Sequence, residues 1–349
     1  MPHWLITGGA GFIGSNFIRL ALAREPEVRI TNFDLLTYAG RPETIADLAG
    51  EPRYRFLRGD VCDAGAAGAA LRWEGSAADA VVHFAAESHV DRSIADGEAF
   101  VRTNVQGTQT LLQAARRAGV GRFLQVSTDE VYGSLGREGR FREDSPLAPN
   151  SPYAASKAAA ELMVRAAVET YGLAAVVTRG SNTYGPFQFP EKLIPLAITH
   201  ADTGREIPLY GSGDNVRTWI HVDDHCGGIL AALRRGRPGA IYNLGGGEET
   251  SNRELLERLL AAMGKPSRLI RPVADRPGHD FRYALDCGRA RAELGWTPAV
   301  RLADGLARTV DWYRGHAAWV ASACDREYEA YRERQYPSLA SQPAETTAP

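Results

Sequence analysis

The amino-acid sequence predicts a doubly wound α/β protein, a parallel sheet with helices on both faces, followed by a smaller C-terminal α/β lobe. Three observations carry that prediction. Short apolar runs alternate with amphipathic runs of helical period through the first half of the chain. The first apolar run opens into a glycine-rich turn. After the sixth such run the texture changes, and turn formers, arginine and proline become common.

Trp4-Leu5-Ile6-Thr7 reads as the first strand, and Gly8, Gly11 and Gly14 form the turn before the amphipathic run SNFIRLALARE. That strand, glycine loop and helix would let a pyrophosphate approach backbone N–H groups. Arg29 to Phe33 is the second strand and ends at Asp34, twenty residues past Gly14. A carboxylate there accepts hydrogen bonds from ribose hydroxyls and repels a 2′-phosphate, favouring NAD over NADP. Its plainer reading is the start of a loop. Tyr54 to Leu57 is the third strand, leading to Gly59-Asp60-Val61, a plausible adenine contact. Ala80 to Phe84 is the fourth, leading to Ala85-Ala86-Glu87-Ser88. Small residues at that point let a dinucleotide lie against the sheet, and Ser88 could reach a cofactor or sugar hydroxyl.

His83, inside an apolar strand, reads more simply as a hydrogen-bonded core histidine than as a base. A helix from Thr103-Asn104 to a glycine stop at Gly119 returns the chain to a strand at Phe123 to Val126. Ser127, Thr128, Asp129 and Glu130 then fall where a parallel sheet opens its ligand crevice. As a sequence pattern, hydroxyl followed by acids is also a helix cap. Ser151-Pro152 starts the next helix, which ends at Gly172, and Ala174 to Arg179 is the sixth strand.

The segment from Ser181 to Pro195 reads as an irregular, ligand-facing loop that contains Lys192. Ile207 to Tyr210, Val216 to Ile220 and Ala240 to Leu244 read as short strands. His221 to His225 could be metal ligands but more simply cap the helix that follows, and no metal site is expected. Asp275 to His279 is either a solvated turn or a loop bearing a guanidinium and an imidazole for a diphosphate or base. The expected organisation is a dinucleotide-binding domain at 1–182, with 216–245 returning to it. A second lobe takes 183–215 and 246–330, and 337–349 is a disordered tail.

Of 40 basic residues only Lys157, Lys192 and Lys265 are lysine. Arginine cannot be tuned, so a retained lysine hints that its shiftable pKa is needed. Tyr153 and Lys157 are i and i+4 on one helical face, and chance predicts about 0.1 such pairs in a chain of this composition. An ammonium there would favour phenolate over phenol.

At 349 residues and 44% hydrophobic, the chain can bury one large core or two unequal ones. A net charge of -2, with acids interspersed among the arginines, argues against a nucleic-acid surface. Four scattered cysteines without a C-x-x-C suggest neither a disulfide framework nor a zinc knuckle. With no charged leader and no apolar run of bilayer length, a soluble protein of a reducing cytoplasm is expected.

HFAAESHVDRSI, STDEVYG, SPYAASK, FPEKLIP and DRPGHD occur in this order. With the glycine loop and Asp34, they make the chain resemble an extended short-chain dehydrogenase/reductase, and within that group the dTDP-glucose 4,6-dehydratases. The resemblance runs from about Trp4 to His316. It implies a Rossmann domain holding NAD through Gly8, Gly11, Phe12, Ile13, Gly14, Asp34, Leu35, Asp60, Val61, Phe84, Ala85, Ala86, Thr103, Tyr153 and Lys157. For a nucleotide sugar it implies Ser88, Thr128, Asn182, Lys192, Leu193, Pro208, Tyr210, Arg217, Asn252, Arg276 and His279. A homodimer packed through the helices after Thr103 and Tyr153 is also implied. The chain departs from the family's common pattern at Gly180 and Thr183, where cysteine or serine and a second asparagine are frequent, and at Arg41-Pro42.

The implied reaction oxidises C4 of glucose, eliminates water across C5 and C6, and returns hydride to C6. Tyr153, kept ionised by Lys157, would take the C4 hydroxyl proton with Thr128 on the same oxygen. Glu130 would remove the C5 proton, and a protonated Asp129 would help the C6 hydroxyl leave. Both acids can serve one sugar only if the strand has ended near Thr128. A UDP-sugar dehydratase, a nucleotide-sugar 4-epimerase or decarboxylase, and a non-catalytic NAD-binding sensor or scaffold are the competing readings.

Overall fold

The computed structural model describes residues 1–337 and 339. In chain order the strands are β1 (His3–Thr7), β2 (Arg29–Asp34), β3 (Tyr54–Arg58), β4 (Arg72–Trp73), β5 (Ser76–Ala77), β6 (Ala80–His83), β7 (Arg122–Thr128) and β8 (Ala175–Gly180). Then follow β9 (Asn182–Tyr184), β10 (Ile207–Tyr210), β11 (Val216–His221), β12 (Ile241–Leu244), β13 (Glu249–Ser251) and β14 (Ile270–Val273).

Seven strands form the main sheet in the order β12-β8-β7-β6-β1-β2-β3, every pair parallel. From β1 the chain winds outward to β3 and then crosses back to β6 on the other side, so strand order reverses between β1 and β6. In an open parallel sheet a crevice opens at the carboxyl ends of such strands.

Alternation along buried strands sends neighbouring side chains to opposite faces. Trp4 and Ile6 pack with Phe17, Ile229 and Leu244 under helices Phe12–Arg24 and Val222–Arg235. Leu5 packs with Val81, Leu111, Phe123 and Val164 under helices Thr108–Ala118 and Pro152–Tyr171. The second lobe has its own core, in which Tyr184, Ile194, Leu256, Leu259 and Leu306 meet between helices Leu193–Asp202, Asn252–Met263 and Leu302–Gly315.

Four expectations need adjustment. The helix read from Thr103 begins earlier, at Glu98, and passes through π-helical turns at Val101–Gly107 before Thr108–Ala118. Those wide turns carry Asn104, whose amide takes both backbone groups of Glu87, accepting from N at 2.9 Å and donating to O at 3.0 Å. Within 216–245, β12 and helix Val222–Arg235 lie with the main sheet, but β11 does not. The chain leaves the sheet after Gly180, and β11 pairs with β9 and β13 in a separate three-stranded sheet. The loop read at 181–195 contains β9 and the start of a helix. His221 is indeed a helix cap, but its helix starts at Val222 rather than after His225. Of the tail at 337–349, all but Pro337 and Leu339 lies outside the described residues. Among the described residues no helix is long and apolar enough to cross a membrane.

Candidate active site

The glycine loop shapes the crevice through what its side chains lack. Gly8 has φ +71°, and a Cβ there would sit 2.6 Å from Ala85 N, so β1 and β6 could not keep their spacing. A Cβ on Gly14 would strike the Gly8 carbonyl. Gly11 differs, because a Cβ there would meet only the Gly8 carbonyl at 3.3 Å and would otherwise stand in the cleft. Helix Phe12–Arg24 has no side-chain cap, which leaves its first N–H groups facing that space.

Asp34 closes the far end. Its carboxylate accepts from Ala10 N at 2.9 Å and Leu36 N at 2.8 Å, which ties the glycine loop to the end of β2. Burial raises its pKa against those two bonds. The cleft holds about 1280 Å³ of free space, and every residue of the NAD set named above lines it.

Tyr153, Lys157 and the end of β7 at Val126 and Ser127 form its inner wall. The strand ends at Thr128, whose hydroxyl caps a 3₁₀ turn at Asp129–Tyr132 by accepting from Glu130 N at 3.2 Å. The alternating geometry of a strand therefore no longer separates the two acids. Ser151 caps helix Pro152–Tyr171 by accepting from Ala154 N, and Pro152 fills its first turn. That helix brings Tyr153 beside Thr128 and sets Lys157 against β7, where its ammonium donates to Val126 O at 2.8 Å.

Burial, reinforced by the Glu130 charge, pushes the Asp129 carboxyl up to about 8, so it carries its proton at neutral pH. Removal from water is the larger effect and the neighbouring carboxylate the smaller. Asp129 is 2% exposed, and its Oδ2 has no hydrogen-bond partner among the described residues. Glu130 is also raised by burial, with Arg276, Lys192 and Arg217 opposing.

Tyr153 departs from expectation. Burial, the Glu130 charge and the Asp129 carboxyl raise its pKa, with only the Thr128 hydrogen bond opposing, so the phenol form is favoured over the phenolate. Lys157 is itself pulled down to about 8 by burial. Sequence reasoning counted the lysine and left out burial and the neighbouring carboxyl groups.

A second cleft, about 930 Å³, adjoins the first and shares Gln188, Glu191 and Lys192 with it. Asn182, Lys192, Leu193, Pro208, Tyr210, Arg217, Asn252, Arg276 and His279 all line it, as does Glu130. Ser88 lies in the first cleft, where its carbonyl accepts from Lys192 Nζ at 2.9 Å. Thr128, hydrogen-bonded to Tyr153, and Asp129 line neither. The loop at 275–279 is thus no solvated turn: Arg276 and Arg217 face one cavity, each held by protein oxygens. Arg217 donates to Asp280 O at 2.9 Å and lies over the Tyr283 ring at 4.2 Å. His279 Nδ1 is 2.7 Å from Asp275 Oδ1.

Sequence reading missed Asp91, Glu191 and Tyr336 as residues of this cleft. Asp91 accepts from Arg276 at 3.1 Å and from Tyr210 at 2.9 Å, and Glu191 accepts from Arg92 at 3.0 Å. Tyr336 follows the last helix and brings its phenol within 3.4 Å of that of Tyr210. Asp91 and Glu191 stood inside motifs already noticed, HFAAESHVDRSI and FPEKLIP, where the acids could have been asked for partners. Nothing local marks Tyr336.

His83 is a core histidine, bonded to Thr7 at 2.6 Å and Thr108 at 3.1 Å, and burial lowers its pKa to about 3. Among the described residues no group of three or more His, Cys, Asp or Glu is placed to hold a metal ion. His225 explains two departures from the common pattern at once. Its Nδ1 bonds the Thr183 hydroxyl at 2.8 Å, and a Cβ on residue 180 would fall on its ring, 2.5 Å from Nε2. Arg41 joins the loop beside the first cleft to the C-terminal helices, pairing with Asp325 at 3.1 Å and donating to Ser322 O.

A profile of the family described as GDP-mannose 4,6 dehydratase matches residues 5–309. A dTDP-glucose 4,6-dehydratase of Streptomyces griseus is 56% identical over 319 residues, covering 91% of this chain and 95% of its own. Among solved structures, the dTDP-glucose 4,6-dehydratase of Streptomyces venezuelae, crystallised with NAD bound, is 55% identical with a TM-score of 0.89. The match covers 92% of this chain and 99% of that one. The Bacillus anthracis enzyme, in complex with NAD, is 42% identical with a TM-score of 0.86, over 93% and 100% of the two chains. Likeness of this extent, through both clefts and the turn between them, makes the chain a member of the dTDP-glucose 4,6-dehydratase family.

Proposed function

We propose that the chain dehydrates dTDP-glucose to dTDP-4-keto-6-deoxyglucose in an NAD-dependent reaction. The observation that carries this reading is the turn Asp129–Tyr132, where a carboxyl that keeps its proton and a second carboxyl open to the nucleotide-sugar cleft are consecutive residues. An epimerase needs no such pair, and a scaffold needs neither it nor Tyr153.

The first cleft suits NAD. Its open Gly11, the uncapped N–H groups of helix Phe12–Arg24 and the Asp34 carboxylate fit a pyrophosphate and a ribose diol. When bound there, NAD supplies a positively charged hydride acceptor that can give the same hydride back. Asp34, Asp60, Val61 and Thr103 hold its adenosine side, Ala85, Ala86, Tyr153 and Lys157 the reactive end. In the second cleft Arg217, Arg276, Lys192 and His279 meet a diphosphate, with Asn182 and Asn252 beside them. Tyr210, Pro208 and Leu193 flank the base.

Tyr153, as a phenolate stabilised by the Lys157 ammonium, takes the proton of the C4 hydroxyl, while Thr128 fixes the oxygen. Because the phenol form is favoured, Tyr153 gives its proton to solvent before each C4 oxidation. Glu130 removes the C5 proton, made acidic by the C4 ketone, and Asp129 gives its own proton to the departing C6 hydroxyl.

Incubation with dTDP-glucose in heavy water tests the reading. The product should carry solvent deuterium at C5 and the original C4 hydrogen at C6. An isomer of the substrate would indicate an epimerase, and no product a scaffold. The pH profile follows from the two shifted groups. A carboxyl raised to about 8 is protonated below that pH, and an ammonium lowered to about 8 is charged below it. Both protonated forms are the active ones, whereas Tyr153 must lose its proton, so kcat/KM should rise with pH towards about 8 and fall above it. A rate flat to about pH 9 would contradict at least one assignment.

Assembly as a homodimer belongs to the same proposal. Val101, Leu162 and Tyr171 stand exposed on the helices that would pair, and Leu112 and Met163 line a groove between them. Residence in a reducing cytoplasm agrees with four free cysteines.

A further inference from the structure

Two buried charges take no part in the chemistry above. Glu161, 4% exposed, lies one turn beyond Lys157 on the same face of helix Pro152–Tyr171. Arg179, 3% exposed, reaches it from β8, the strand beside β7, with Ser127 as its partner in register. Its Nε donates to the two carboxylate oxygens at 3.1 and 3.0 Å, and its Nη2 to Oε2 at 2.5 Å. The guanidinium is also held over the Tyr132 ring at 4.5 Å, and that ring stacks on Phe141 at 4.7 Å. Glu161 therefore cannot swing away from Lys157 without breaking a bidentate pair that is itself wedged in place.

We propose that Glu161, fixed by Arg179, is a positioning residue that keeps the Lys157 amine charged where it lies against β7. The use made of that charge rests on the dehydratase reading; the charge itself does not. Titratable and charged groups around Lys157 are Tyr153 and Glu161 on its own helix, His83 on β6, and Asp129 and Glu130 in the turn after β7. Arg179 on β8 stands behind Glu161. Burial pulls the Lys157 amine down to about 8, and Glu161 is the charge that opposes this. Without the carboxylate, the Arg179 cation would face the ammonium unshielded, and like charges disfavour each other's ionised forms. Without the guanidinium, the carboxylate would act on the ammonium uncompensated. Removing either partner should thus move Lys157 in opposite directions, which a merely structural ion pair would not do.

Composition makes the test direct, since the chain has three lysines. NAD-loaded protein carrying isotope-labelled lysine should give three titrating side-chain signals, and the one missing from Lys157→Met belongs to Lys157. In Glu161→Gln its midpoint should fall by about one pH unit, and in Arg179→Gln rise by a similar amount. The double variant should return it towards the starting value. Midpoints that stay within about 0.3 of a pH unit, or that move the same way in both single variants, would overturn the proposal. If Glu161→Gln fails to fold, Arg179→Gln decides alone, because a midpoint that holds or falls contradicts it. The titration needs no substrate, so an enzyme inactive on dTDP-glucose would refute the functional reading and leave this one standing.

Discussion

Glu130→Gln is expected to lower steady-state turnover of dTDP-glucose by about 10³-fold while leaving the first chemical step intact. Glutamine keeps the shape of the turn after β7, and the backbone N–H that Thr128 accepts is unchanged. What disappears is the base for the C5 proton. Absorbance of reduced cofactor should then build up on mixing with substrate, and recovered sugar should contain no solvent deuterium at C5. The substitution also removes a negative charge that raises the pKa of both Asp129 and Tyr153. The phenol should therefore ionise more readily, which favours accumulation further. Turnover within about threefold of the parent enzyme would remove Glu130 from the scheme.

Tyr153→Phe should cost at least about 10³-fold, at an earlier point. No group would then take the C4 proton, so neither reduced cofactor nor exchange at C5 should appear. Removing the phenol leaves Thr128 and Lys157 in place, and neither substitutes for it: a hydroxyl is a weak base, and the lysine is charged at neutral pH. The contrast between the two variants is sharper than either loss, since one stops the reaction before C4 oxidation and the other after it. Reduced cofactor forming at the parent rate in Tyr153→Phe would transfer the first step to another residue.

Those features that depend on a few consecutive residues could be read from the sequence. Gly8, Gly11 and Gly14 mark a strand-to-helix turn because a Cβ cannot be placed there, and Asp34 follows at the end of the next strand. Tyr153 and Lys157 share a face because a helix repeats every 3.6 residues. Even the end of β7 was required in advance by the chemistry asked of Asp129 and Glu130. Features that depend on elements far apart in the chain could not be read. Asp91 meets Tyr210 and Arg276 only because the second lobe folds over residues 89–92. β11 has the apolar pattern of any short strand, and nothing in it says which sheet it will join. Protonation is harder still, since the Tyr153 phenol is favoured by burial and by the Glu130 charge, which no residue spacing encodes.

The His225 ring occupies the space that a side chain at position 180 would need, and its Nδ1 grips Thr183. Three positions are thereby bound into one evolutionary unit. Cysteine or serine introduced at 180 by itself would collide with the imidazole, and a residue at 183 without a hydrogen-bonding side chain would forfeit the bond to it. A laboratory lineage drifting back toward the commoner residues must therefore cross a fitness valley or acquire a smaller residue at 225 first, so the order in which mutations accumulate is constrained.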